Sequence, residues 1–220
     1  MAYDRQLIIQ FLCGDSSDKL ITDNAKAINN RAISKGLKSH IVTLPMWNGF
    51  FGNITGHFQL KSLKHELSKL TSKSRVYIQG HGDWQSQKVA DWTADFSVDF
   101  LVGCGLPAVK MVSILACEAG RDLGSANDIR VTNSADSYGS KFHKRMFTKH
   151  GLKIEVYARV YCVVPIGPAA QSVFGLDKDQ LGRKATSDEN DDAMLSQYGR
   201  TKSKLRFYWL NGQQVREWAY

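Results

Sequence analysis

The sequence predicts an α/β fold: a mostly parallel central sheet flanked by helices, with a C-terminal β-hairpin. Three observations carry that expectation. Residues 75–79 (RVYIQ) and 110–116 (KMVSILA) are short apolar runs that stop at glycine-bearing turns, the pattern of buried strands. Residues 5–44 run from an apolar segment through an amphipathic one to a second apolar segment, which reads as a β-α-β unit with a right-handed crossover. Near the C-terminus Asn211-Gly212 separates two β-branched and aromatic runs, the strongest short hairpin signal in the chain. At 220 residues the chain suits one domain. The core is expected over residues 1–164, with a connection and the hairpin over 165–220 in the same domain.

Taken in order, residues 5–13 (RQLIIQFLC) read as the first strand, and Gly14-Asp15-Ser16-Ser17-Asp18 as a turn of helix-capping residues. Residues 19–34 place Leu20, Ile21, Ala25, Ala27, Ile28 and Ala32 on one helical face, closed by Lys35-Gly36. Residues 39–44 form the next strand. Residues 45–56 (PMWNGFFGNITG) read as an exposed hairpin or loop, and 58–70 as a helix. Asn53-Ile54-Thr55 matches a glycosylation sequon, which carries no weight without a signal sequence. Residues 82–96 read as a loop, and 97–104 as a short helix capped by Asp95 or Ser97. A strand at 129–132, a basic helix at 137–150 ending at Gly151 and a long strand at 153–164 (KIEVYARVYCVV) follow. A looser connection at 165–181 and an acidic turn at 188–192 (DENDD) lead to an appended hairpin of strands 205–210 and 215–218.

Composition narrows the class. The 43% hydrophobic and 23% charged contents are those of a soluble globular protein. No run approaches the ~20 apolar residues that span a bilayer. The first residues lack a charged leader and a small-residue cleavage site, so a Sec signal is not expected; signal-free export and excision from a polyprotein stay open. Cys13, Cys104, Cys117 and Cys162 have no paired spacing, which fits a reducing compartment and argues against structural zinc. A net charge of +8 calls for an anionic partner, and nucleic acid, acidic membrane or polyphosphate would each suffice.

Cys117 and His81 carry the chemistry. Singly, such residues are more often packing than catalysis. Here each ends an apolar run, and each is followed by glycine within three positions. A thiol and an imidazole at strand carboxyl ends suit acyl transfer, with Cys117 attacking a carbonyl and His81 protonating the leaving amine. Main-chain N–H groups of Gly82 and Cys117 would form the oxyanion hole. The remaining histidines (His40, His57, His65, His143, His150) read as solvated or structural.

The pairing of strand–His-Gly with strand–Cys resembles the clan CD cysteine peptidases, and Ala116-Cys117-Glu118-Ala119-Gly120 looks like the legumain nucleophile motif. Over residues 5 to 220 the sequence is most similar to the inositol-hexakisphosphate-activated cysteine protease domains of MARTX and large clostridial toxins. The likeness runs in order through Gln6-Leu7-Ile8-Ile9-Gln10, residues 75–82, Tyr138-Gly139 with Phe142, and Gly151-Leu152-Lys153-Ile154-Glu155-Val156 with Arg159. It continues through Gly182-Arg183-Lys184 with Thr186 and the strand at 205–209.

That resemblance implies a caspase-like three-layer fold with a C-terminal β-flap. It implies a carboxylate orienting the histidine, and Asp15 stands in that position; from the residues alone Asp15 reads equally as a helix cap. It implies cleavage after leucine, with a pocket near residues 132–137. It also implies activation by inositol hexakisphosphate, with matching basic positions at Arg5, Arg31, Arg75, Arg183 and Lys184. Lys202, Lys204 and Arg206 are looser matches on the flap, and a solvated basic face serves Lys202 and Lys204 equally well. Close cations repel by about 4 kcal/mol per pair at an effective dielectric of 20, and a polyphosphate relieves that repulsion. The implied setting is a bacterial toxin or effector, without metal or nucleic acid, monomeric, and working in a host cytosol by self-processing or host-protein cleavage. Ala116 departs from the glycine usual before the nucleophile, residues 163–181 form a longer connection, and no self-cleavage linker is evident before Arg5. Two other classes stay open: a legumain- or caspase-like peptidase independent of polyphosphate, and a non-catalytic basic module for nucleic acid or phosphoinositide.

Overall fold

The computed structural model describes residues 3–14, 18–45, 54–83, 85–121, 136–160, 164–165, 184–185 and 204–219. Strand β1 (Arg5–Leu12) leads through helix α1 (Asp18–Ser34) to β2 (Lys38–Pro45), then α2 (Ile54–Leu67) and β3 (Arg75–Gln79). Three two-residue strands follow, β4 (Gly82–Asp83), β5 (Lys88–Val89) and β6 (Trp92–Thr93), then α3 (Ala94–Gly103) and β7 (Met111–Leu115). Beyond these come α4 (Tyr138–His150), β8 (Glu155–Arg159), the short pair β9 (Val164–Pro165) and β10 (Lys184–Ala185), and the hairpin β11 (Lys204–Leu210) with β12 (Gln213–Trp218).

The main sheet has seven strands in the order β12-β11-β8-β7-β3-β1-β2. Pairing is parallel from β2 to β8, and β11 joins β8 antiparallel. One face buries Leu7, Ile9, Phe11, Val76, Ile78, Val112, Ile114, Val156 and Phe207, together with Leu63 and Leu67 of α2, Val98 and Leu101 of α3, and Phe142 and Met146 of α4. On the opposite face α1 sets Ala25 and Ile28 against Ile8 and Leu115. Each fully buried aliphatic or aromatic side chain contributes about 1.5–3 kcal/mol by leaving water. The result is three layers, with β1, β3 and β7 at the centre. Among the described residues no helix is long and apolar enough to cross a membrane.

Local chemistry sets the helix ends. The α1 helix stops where Leu37 N–H reaches the Ala32 carbonyl (3.0 Å) and Gly36 N–H the Ile33 carbonyl (2.8 Å). Ser137 caps α4, its hydroxyl accepting from Ser140 N–H at 3.2 Å. Asp99 fastens α3 to α4 by accepting from Arg145, Lys149 and His150 at 2.7–3.1 Å.

Five expectations change. Helix α2 begins at Ile54, so residues 54–56 belong to it and not to a loop. The stretch after His81 is a three-stranded meander, held by pairs between Gly82 and Val89 and between Val89 and Trp92. Helix α3 starts earlier than expected and is capped by Thr93, whose hydroxyl accepts from Phe96 N–H at 3.3 Å. The long strand expected at 153–164 is the five-residue β8, because its parallel neighbour β7 is itself only five residues long. The C-terminal hairpin is no appendage: Leu205 and Phe207 are buried at 1% exposure, and β11 and β12 complete the main sheet. The strand expected at 129–132 lies outside the described residues, as do residues 166–181 and 188–192.

Candidate active site

Strand register brings the two reactive residues together. Gln79 and Leu115 are partners across β3 and β7, and His81 and Cys117 each stand two positions beyond them. Adjacent strands lie about 4.8 Å apart, so both residues stand beyond the same edge of the sheet at the same level. The loops then touch. A Cβ on Gly82 would sit 2.0 Å from the Cys117 carbonyl oxygen and 2.8 Å from its nitrogen, so the two main chains meet directly and only glycine fits. Cys117 is a half-buried thiol that takes part in no disulfide, and His81 is half-buried beside it in the sheet order.

The turn after Cys117 is pinned from two sides by the scaffold. Gly120 N–H donates to the Arg159 carbonyl at the end of β8 (2.6 Å), and the Ala119 carbonyl accepts from Gly139 N–H at the start of α4 (2.7 Å). Arg121 N–H closes the turn on the Glu118 carbonyl at 2.8 Å, and the Arg121 guanidinium pairs with the Glu118 carboxylate. Glu118 takes a left-handed backbone (φ 54°), a strained state for a residue with a Cβ, directly after the thiol.

The histidine's loop is held by the meander. Ala90 N–H donates to the His81 carbonyl at 2.8 Å, and Gly80 is packed against Val89, Ala90 and the Phe11 carbonyl. Trp92 lies among Phe11, Phe96 and Phe100 with ring centroids 4.6–5.0 Å apart, which fastens the meander to β1 and α3. From the meander, Gln87 Nε2 reaches across to the Arg121 carbonyl at 3.0 Å.

The sheet face beside α1 carries an aromatic and cationic strip. Arg75 donates to Gln6 Oε1 at 2.8 Å and lies over the rings of Tyr3 (4.7 Å) and Tyr77 (5.4 Å). Lys204 pairs across strands with Arg159 and lies 4.5 Å over the Tyr157 ring. Burial, and then the Arg159 charge, pull the Lys204 ammonium down to about 8. Burial likewise brings Arg159 down to about 10. Arg206 differs, being neutralised by Glu155 (2.7 Å) and Glu217 (2.6 Å).

The predicted basic positions therefore divide. Arg75, Lys204 and Arg206 share one face by strand alternation, and Arg31 stands in the last turn of α1, which packs on that face. Arg5 does not join them. Its neighbour Gln6 pairs with Arg75, which puts Arg5 on the other face, 3.9 Å from Glu66, a carboxylate already held by Lys69 at 2.5 Å. Lys184 lies in β10, away from the main sheet's ladder. Asp15, Arg183 and Lys202 fall outside the described residues, as do positions 132–135 of the expected pocket. The Asp18 carboxylate accepts from Cys13 N–H (3.1 Å) and Gly14 N–H (2.6 Å).

Sequence reading passed over Gln87, Tyr77 and Tyr157 as site residues. The tyrosines alternate with buried apolar residues and are legible as one face once the register is known; Gln87 has no such signal. Among the described residues no group of three His, Cys, Asp or Glu side chains is arranged to hold a metal ion. No model of a known protein family matches the chain, and no curated protein matches it.

Proposed function

We propose that the chain is a caspase-like cysteine endopeptidase that acts as a bacterial toxin or effector and is switched on by inositol hexakisphosphate. The observation that carries the reading is the meeting of the two strand ends: register partners at Gln79 and Leu115, then direct contact of Gly82 with the Cys117 main chain. In the reaction the Cys117 thiol gives its proton to His81 as its sulfur bonds to the scissile carbonyl carbon, and the tetrahedral oxyanion takes hydrogen bonds from the Gly82 and Cys117 N–H groups. Collapse breaks the C–N bond while His81 gives its proton to the leaving amine. Water then hydrolyses the thioester, with His81 accepting the proton. Asp15, three residues after β1 in the sequence, is assigned to orient His81.

For the activator, support comes from the cationic strip. Lys204 and Arg159 are cross-strand partners whose charges oppose each other, and Arg75 lies on the same side of the sheet. A polyphosphate would offset their repulsion, and it activates if it binds the active arrangement better.

The test is cleavage of leucine-containing peptides, and of the chain itself, with and without inositol hexakisphosphate. Cys117→Ala should abolish turnover, and His81→Ala should reduce labelling of Cys117 by thiol-reactive probes. Activity surviving Cys117→Ala would remove the nucleophile assignment. Full activity without the polyphosphate would keep the cysteine–histidine pair and remove the activator.

A further inference from the structure

We infer that Gln87 is a positioning residue, which holds the nucleophile turn in place relative to the histidine loop through its hydrogen bond to the Arg121 carbonyl. The inference rests on the peptidase reading and adds a residue to it. Its first support is the cost of the arrangement. Gln87 lies in the turn between β4 and β5, next to the exposed Gln85 and Ser86, where a long polar side chain would ordinarily be solvated. Instead it is buried at 8% exposure and takes a left-handed backbone (φ 54°) unusual for its residue type. Both features fit a side chain turned inward for a specific partner, and the 3.0 Å bond to Arg121 supplies one.

The second support is what that bond joins. The turn from Cys117 to Arg121 is tied to the scaffold on its far side, through Gly120 to β8 and Ala119 to α4. His81 is tied to the meander through Ala90, and Gly82 begins the meander. Gln87 thus connects the body that carries the imidazole to the last residue of the turn that carries the thiol. Losing the bond removes the tie between the meander and Arg121, and the Arg121–Glu118 backbone closure passes that loss to the residue next to Cys117. A displacement of about 1 Å between reacting groups can cost on the order of 100-fold in rate, so a bond at this place acts on kcat.

Two variants of the full chain test this. Gln87→Glu keeps the side-chain length but replaces the donor with a carboxylate that only accepts; Gln87→Met keeps the bulk and removes both functions. In peptide cleavage, with inositol hexakisphosphate present, each should lower kcat by about 10- to 100-fold and leave KM within about twofold. The hydrogen bond has its own readout in the pH profile. As pH falls and the introduced carboxyl takes up a proton, it can donate to Arg121 again. The kcat of Gln87→Glu, relative to the unsubstituted chain, should then recover, while Gln87→Met stays flat. Unchanged kcat in both variants overturns the inference. So do equal losses at every pH that track a lowered melting temperature, since packing alone would then explain them. If Cys117→Ala retains activity the peptidase reading itself fails, an outcome distinct from both.

Discussion

A methyl group at position 82 has nowhere to go. Both obstacles, the oxygen and the nitrogen of Cys117, are backbone atoms at the end of a buried strand, so no side chain can swing aside. Gly82→Ala must push the His81 loop and the Cys117 turn apart. Overpacking of this kind typically costs about 1–3 kcal/mol. Urea unfolding should show that loss, and peptide cleavage should show kcat falling more than KM. An alanine variant with native stability and turnover would mean that this contact does not set the spacing of the two loops.

Between elements, the junction of α4 with the C-terminal hairpin depends on one neutral histidine. His143 is fully buried, its Nδ1 stands 2.7 Å from Gln214 Nε2, and its ring stacks on Trp209 at 5.2 Å. The same Gln214 amide donates to the Ser140 carbonyl, and its oxygen accepts from the Ser140 hydroxyl. Burial pulls the imidazole down from 6.5 to about 4. The folded state therefore favours the neutral ring. Its contribution is complete above pH 6.5 and is lost as pH falls from 6.5 toward 4, by up to about 3 kcal/mol. Unfolding free energies measured across that window should decline with acidity, and His143→Phe should flatten the decline. An unchanged slope in that variant would assign the acid sensitivity to other groups.

For the whole molecule, the two faces of one sheet do different work. One is a continuous apolar core under three helices; the other carries α1 at the β1–β2 side and the cationic, aromatic strip toward β8 and β11. A polyanion bound to that strip should raise the melting temperature, by about 2.7 kcal/mol of stability at a concentration 100 times Kd. Bound phosphate also favours the charged form of Lys204, whose ammonium titrates near 8 without it. Binding should therefore take up protons near pH 8, and affinity should fall as pH rises through that value. Titration calorimetry of inositol hexakisphosphate in two buffers of different ionisation enthalpy measures the uptake, and Lys204→Gln should abolish it. Absence of any melting shift would remove the activator and leave the peptidase chemistry untouched.

Features that depend on near neighbours are legible along the chain. The runs at 75–79 and 111–115 are strands because they are short, apolar and bounded by turns, and they deliver His81 and Cys117 to strand ends. Helix α4 begins at a capping serine and ends at Gly151, and Asn211-Gly212 turns the final hairpin with both residues at positive φ. Tertiary structure decided everything that depends on which residues sit opposite one another. Two-residue strands such as those of the meander have no period to read; they exist because their backbone pairs across a docked loop. Residue 159 ends β8 because of its neighbours in the sheet, and the hairpin joins that sheet because Leu205 and Phe207 find a core to bury against. Arg5 and Arg75 look alike in sequence yet fall on opposite faces, since a register shift of one residue reverses every side chain of a strand. The placement of Gln87 beside Arg121, 34 residues along the chain, follows from the same cause. Register is a property of pairs of strands, and no single segment contains it.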